Sequence, residues 1–169
     1  MTALVYLWPR QQGNVGHVSL LIGTTYVSYW PGSPAGKGDF KLGTTHAAAF
    51  PREYRTDVRL EKGEASERLY LTSLNESAML SAWTDLVTRG SRYNMVKHNC
   101  STVVAALLTV GSGITPLFAP SIKVSSIGLP FHLQFLLQIK YLGDTIRMWS
   151  PDAVAVYAKQ IQQHQGGRK

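Results

Sequence analysis

The feature that most constrains this chain is a pair of β-branched and aromatic runs, HVSLLIG (17–23) and TYVSYW (25–30), that almost touch in sequence. Only GTT stands between their apolar positions, which leaves chain enough for a tight reversal and nothing longer, so the two runs pair as a β-hairpin. Such a hairpin buries one face and needs a partner layer, and a chain of 169 residues can build one. ALVYLW (3–8), stopped by Pro9, reads as a further strand. YRTDVRLE (54–61) and ERLYLTSL (67–74) alternate and read as two more around the turn KGEAS.

Three segments carry helix signals. NESAMLSAWTDLVTRG (75–90) opens on Asn75 as a cap, has Glu76 in its first turn and ends at Gly90, with Met79, Trp83, Leu86 and Val87 on one face. A second helix starts near Asn99 or Cys100 and runs over 100–111 to GSG (111–113), with Val103, Val104, Leu107 and Leu108 inward. The third, SPDAVAVYAKQIQQ (150–163), has Ser150 as cap, Pro151 at its first position and Asp152 on the positive end of the dipole, with Val154, Tyr157 and Ile161 as its inner stripe. The expected fold is therefore α+β, a single domain over 1–169 with an antiparallel sheet of about five strands packed against helices. Its expected core includes Val18, Leu20, Ile22, Val27, Val58, Leu60, Trp83, Leu86, Val104, Leu107 and Leu108.

Two stretches stand apart from that frame. PGSPAGKGDF (31–40) reads as a loop that runs on through KLGTTHAAAFPRE with no more than a short helical turn. In 114–143, PFHLQFLLQIKYL places Phe131, Phe135, Leu136 and Ile139 at helical spacing, yet is too short for a bilayer span and is interrupted nearby by Pro116, Pro120 and Pro130. A buried helix is the expected reading, and a surface that meets lipid or an acyl chain is the alternative.

Apolar residues make up 44% of the chain and charged ones 16%, which describes a folded protein, somewhat poor in charge, and not a disordered one. Charge matters more by its placement. Lys and Arg number 17 against 10 Asp and Glu, and no acidic residue lies between Asp85 and Asp144, where Arg89, Arg92, Lys97, Lys123 and Lys140 all fall. A positive field there favours an anionic partner such as a phospholipid surface or an acidic glycan. Nucleic acid is not expected, because the cations are scattered and form no recognised binding motif. The start, MTALVYLWPRQQ, has no basic region before its apolar run, so no Sec signal is expected and synthesis in the cytoplasm follows.

The only cysteine, Cys100, excludes an intrachain disulfide and sits at the head of an apolar helix. Unpaired N–H groups and the dipole at a helix start stabilise a thiolate, and a neighbouring imidazole would lower its pKa further and act as acid and base. His17, which opens the first hairpin strand, can supply that imidazole. His98, His46, His132 and His164 lie in a cap, a loop, the apolar segment and the tail. One cysteine and scattered histidines give no metal-ligand spacing, so neither metal nor cofactor is expected.

GHVSLLIGTTYVSYWP followed much later by YNMVKHNCSTVVAALL resembles the circularly permuted NlpC-like branch of the papain-like fold, which includes the lecithin:retinol acyltransferase family and the PPPDE peptidases. There the histidine strand precedes the cysteine helix. The resemblance implies Cys100 as nucleophile and His17 as general base. It implies a third polar residue on the next strand to orient the imidazole: Tyr29 holds the slot filled by a second histidine in the acyltransferases, and Ser28, which points the opposite way, is the alternative. Tyr93 resembles an upstream tyrosine that hydrogen-bonds the oxyanion, and a half-buried structural tyrosine is the other reading.

The implied reaction is thiolate attack on a carbonyl, a thioester on Cys100, and release to water or another acceptor. Three substrate readings follow. The first is a thiol lipid hydrolase or acyltransferase (phospholipase A-like) meeting a phospholipid membrane surface. The second is a peptidase or amidase on peptidoglycan peptide or isopeptide bonds. The third is a non-catalytic binding module with a structural Cys100. A small basic chain of this kind also resembles an antibacterial effector toxin, exported by a specialised secretion system to a target cell envelope and paired with an immunity protein in the producer.

Overall fold

The computed structural model describes residues 2–11, 15–32, 45–127 and 131–167. In chain order the elements are β1 (Thr2–Trp8), β2 (His17–Ile22), β3 (Thr25–Val27), β4 (Trp30–Pro31), β5 (His46–Ala49), α1 (Tyr54–Glu61), β6 (Glu67–Thr72) and α2 (Glu76–Thr88). They continue with β7 (Arg92–Tyr93), α3 (Cys100–Ser112), β8 (Ser121–Lys123), a 3-10 turn (Val124–Ile127), α4 (Phe131–Tyr141), β9 (Thr145–Arg147) and α5 (Pro151–Gly166). The protein is α+β with antiparallel pairing throughout the described sheets.

The hairpin forms as its sequence requires. Ile22 pairs with Thr25 across a two-residue turn in which Gly23 takes φ 56°. β2 then pairs with β1, which sets His17 opposite Trp8 at one end of the sheet. The main sheet runs β3-β2-β1-β6. Val18, Leu20 and Ile22 join Val27, Val104, Leu107 and Leu108 in the core, because α3 packs on β2 and α5 on β6. His17 and Ser19 alternate to the opposite face.

All three expected helix caps are present. Asn75 accepts from Ala78 N–H, Asn99 from Thr102 N–H and Ser150 from Ala153 N–H. On the outer edge of the sheet, β6 would leave ladder groups unpaired. Gln162 Nε2 donates to the Tyr70 carbonyl at 2.7 Å, and Gln165 bonds both the Thr72 carbonyl and its N–H.

Several expectations need correction. Residues 54–61 form α1 and not a strand, so the main sheet has four strands where about five were expected. The remaining pairing is in two small sheets, β4-β5-β7 and β8-β9. Lys62 ends α1 at φ 61° and Gly63 N–H returns to the Val58 carbonyl, a left-handed helix stop. On a helix the inward residue is Asp57, so Val58 is only half-buried and Leu60 is 41% exposed; neither is the core residue expected. Leu86 is only partly buried but packs against the core. Residues 46–49, read as a helical turn at most, form β5 because they pair between β4 and β7. The glycine- and proline-rich stretch 33–44 lies outside the described residues. Among the described residues, no helix is long and apolar enough to cross a membrane.

Candidate active site

Cys100 is the first residue of α3, and its position is fixed from both sides. Asn99 Oδ1 accepts from Thr102 N–H at 2.8 Å and from Thr102 Oγ1 at 3.1 Å. Its Nδ2 donates to the carbonyls of Met95, at 2.7 Å, and Trp149, at 3.0 Å. The preceding turn closes on itself through reciprocal backbone bonds between Asn94 and His98. Asn94 Oδ1 also accepts from the N–H groups of Val96 and Lys97. The polar residues of YNMVKHNC thus hold the helix start, and with it the thiol.

His17 is fully buried, with its ring centroid 4.5 Å from that of Trp30 and 5.6 Å from that of Trp8. Gly16 before it takes φ +75°, and a Cβ there would lie 2.4 Å from the Trp8 carbonyl oxygen. Gly16→Ala is therefore expected to destabilise the fold by about 2–4 kcal/mol, from a strained backbone conformation together with overpacking. It should also displace His17. Urea unfolding beside imidazole NMR checks both effects.

The residue that sequence reasoning missed is Asp57. It is buried and collects four donors: His17 Nε2 at 3.0 Å, Tyr26 OH at 2.6 Å, Ser28 Oγ at 2.9 Å and Trp30 Nε1 at 2.8 Å. Ser19 extends the network to Tyr26 at 2.6 Å. Since a carboxylate only accepts, His17 Nε2 carries the proton toward it, and Nδ1 is the ring atom left for the cysteine. Cys100 acts on His17 through both a hydrogen bond and its charge.

Burial alone would lower the His17 pKa. The Cys100 thiolate charge and the hydrogen bond to Asp57 overcome it and raise the pKa from 6.5 to about 9. For Asp57, burial pushes the carboxyl up, but the hydrogen bond and charge of His17, helped by Tyr26 and Ser28, hold it below the usual range. The signs follow from linkage. The His17 contribution to stability is fully present below its unfolded pKa and is lost as pH rises through about 9. That of Asp57 is present above its unfolded pKa and is lost as pH falls through the depressed folded one. If the Cys100–His17 pair turns over a substrate, kcat/KM is expected to carry an alkaline limb near pH 9, where the imidazolium loses its proton. Removing the thiolate with Cys100→Ala should move the His17 titration, followed by imidazole NMR, to lower pH.

The two orienting candidates separate. Ser28 Oγ lies 3.1 Å from His17 Nε2 and donates to Asp57. Tyr29, just after β3, is turned elsewhere: its hydroxyl meets Ser91 at 2.9 Å and His98 Nδ1 at 3.0 Å. Tyr93 stacks on Tyr29 with ring centroids 5.6 Å apart. Burial first, and the Cys100 charge second, raise its pKa well above the tyrosine range, so it keeps a proton to donate.

Beside Cys100 runs a narrow slot of about 20 Å³, room for little more than a water molecule. Its walls are mainly apolar, with Met95, Ile122, Met148 and Trp149, and Arg10 contributes a cation. Arg10 bonds Ser126 Oγ at 3.2 Å and approaches Asp152 at 3.8 Å. Among the described residues no cluster of His, Cys, Asp or Glu could hold a metal ion. Comparison with family models, curated proteins and solved structures gives no match to this chain.

Proposed function

We propose that this protein is a cysteine-dependent acyl hydrolase or acyltransferase of the permuted papain-like type, acting on phospholipid esters through a thioester on Cys100. The observation that carries the reading is the buried row Cys100–His17–Asp57, with the thiol on the first residue of a helix and the imidazole held by a carboxylate. The lipid preference is supported by the acid-free sequence on both sides of the thiol, from residue 86 to 143.

In this mechanism the thiolate attacks the ester carbonyl and a C–S bond forms. The oxyanion is stabilised by the Cys100 N–H at the helix start and by the Tyr93 hydroxyl. The His17 imidazolium gives its proton from Nδ1 to the departing alkoxide, and lysophospholipid leaves. Water, or another acceptor hydroxyl, then attacks the thioester while His17 takes its proton. The C–S bond breaks, the thiolate is restored and the fatty acyl product departs.

The test is mass spectrometry of the lipids after incubation with mixed phospholipid vesicles. Fatty acid together with lysophospholipid is the expected result, and an acyl acceptor in the mixture would identify a transferase. Intact lipid alongside peptide fragments released from purified sacculi would replace this reading with a peptidase.

A further inference from the structure

The apolar segment before α5 is not buried as its sequence suggests. On α4, Phe131 is 82% exposed, Leu142 just beyond the helix is 95% exposed, and Phe135, Leu136 and Ile139 are each more than half exposed. At 100° per residue Phe131, Phe135, Leu136 and Ile139 fall in one arc of the helix, which the exposed His132 shares, while the buried Leu137 lies on the opposite side; Leu142 follows the helix at φ 54°. An apolar stripe normally faces the core; here it faces outward.

Charge identifies what such a face meets. Lys140 lies at the border of the arc, and Lys123 and Arg147 project from the β8–β9 ribbon that carries α4; all three are exposed. No acidic residue occurs from 86 to 143, and Asp144, which follows the helix, is held by Gln138 Nε2 at 2.8 Å. An outward apolar arc with Lys140 at its border, and further exposed cations on the supporting ribbon, suits a helix lying in the plane of a membrane interface. The same ribbon forms part of the slot wall beside Cys100, through Ile122 of β8 and Met148 just after β9.

We propose that α4 is an interfacial docking helix that seats this protein on an anionic phospholipid bilayer, with its apolar arc in the acyl boundary and Lys123, Lys140 and Arg147 among the phosphates. In its consequence for the Cys100 slot, which docking would turn toward the lipid, the inference rests on the lipid-ester reading. Binding itself does not, because it can be read where no turnover occurs.

The experiment is co-sedimentation of the Cys100→Ala protein with vesicles of phosphatidylcholine alone or of equal parts phosphatidylcholine and phosphatidylglycerol. The mixed vesicles should bind it, and binding should weaken with added salt. Phe135→Ser with Ile139→Ser should weaken binding by about tenfold or more. Lys140→Ala should do so by about fivefold, while leaving the thermal midpoint in place. Equal binding by the α4 variants, or none by the parent, would overturn the proposal. So would a parent dimer that the α4 variants disperse and that ignores vesicles, since the arc would then cover a second copy. Docking without any lipid product from the wild type would leave the helix assigned and remove the lipid-ester chemistry.

Discussion

Replacing Cys100 by alanine is expected to reduce product formation on the order of 10⁴-fold or more while leaving a folded protein. The sulfur is small and buried, so the packing cost is about 1–2 kcal/mol. The chemical cost is far larger, since the other hydroxyls of the slot lack the histidine partner of the thiol: Ser101 has its Oγ 3.9 Å from Sγ, and Ser150 Oγ accepts from Ala153 N–H as the cap of α5. Turnover of phospholipid vesicles, with circular dichroism as the folding control, checks the expectation. A binding module with a structural cysteine would instead show equal function in the two proteins.

Asp57 carries the second large effect. Asp57→Ala strands the buried His17 imidazolium and removes the common acceptor of Tyr26, Ser28 and Trp30, so a loss of about 3–5 kcal/mol is expected in urea unfolding. Activity should fall by about 10²–10⁴-fold, because the imidazole loses both its fixed tautomer and the partner that keeps it charged. Asp57→Asn separates the two roles. It keeps the shape and one acceptor oxygen, so its stability loss should be smaller, while the His17 titration still moves down and the alkaline limb moves with it. A purely structural Asp57 would shift stability and leave the pH profile in place.

What could be read from the sequence was local. The hairpin, the side-chain caps at Asn75, Asn99 and Ser150, and the placement of Cys100 on the first residue of a helix depend on neighbours a few positions away. Asp57 was hidden because YRTDVRLE satisfies a strand alternation as well as a helix, and the alternation directs Val58 and Leu60 inward. The signal that separates the two readings is Lys62–Gly63, a helix stop that also suits the turn KGEAS. Choosing the wrong period moved the inward residue by one position and so concealed the carboxylate.

Tyr29 illustrates a different limit. Its spacing from His17 suits an orienter, but alternation alone cannot say which of the two residues after β3 faces the imidazole; the contacts put Ser28 beside His17 and Tyr29 beside His98. For α4, periodicity marked the apolar stripe correctly, yet a stripe does not reveal whether a partner layer exists. The sheet and α3, α5 and α2 pack with one another, while α4 rests on the 3-10 turn and β9 and keeps its stripe outward.

The most direct test is the mass of the protein itself, quenched in acid during turnover of phosphatidylglycerol vesicles. An added acyl chain on the peptide that holds Cys100, removed by neutral hydroxylamine and absent from Cys100→Ala, is the expected result. Lipid turnover that continues undiminished in Cys100→Ala, with no adduct on the wild type, would contradict a thioester mechanism.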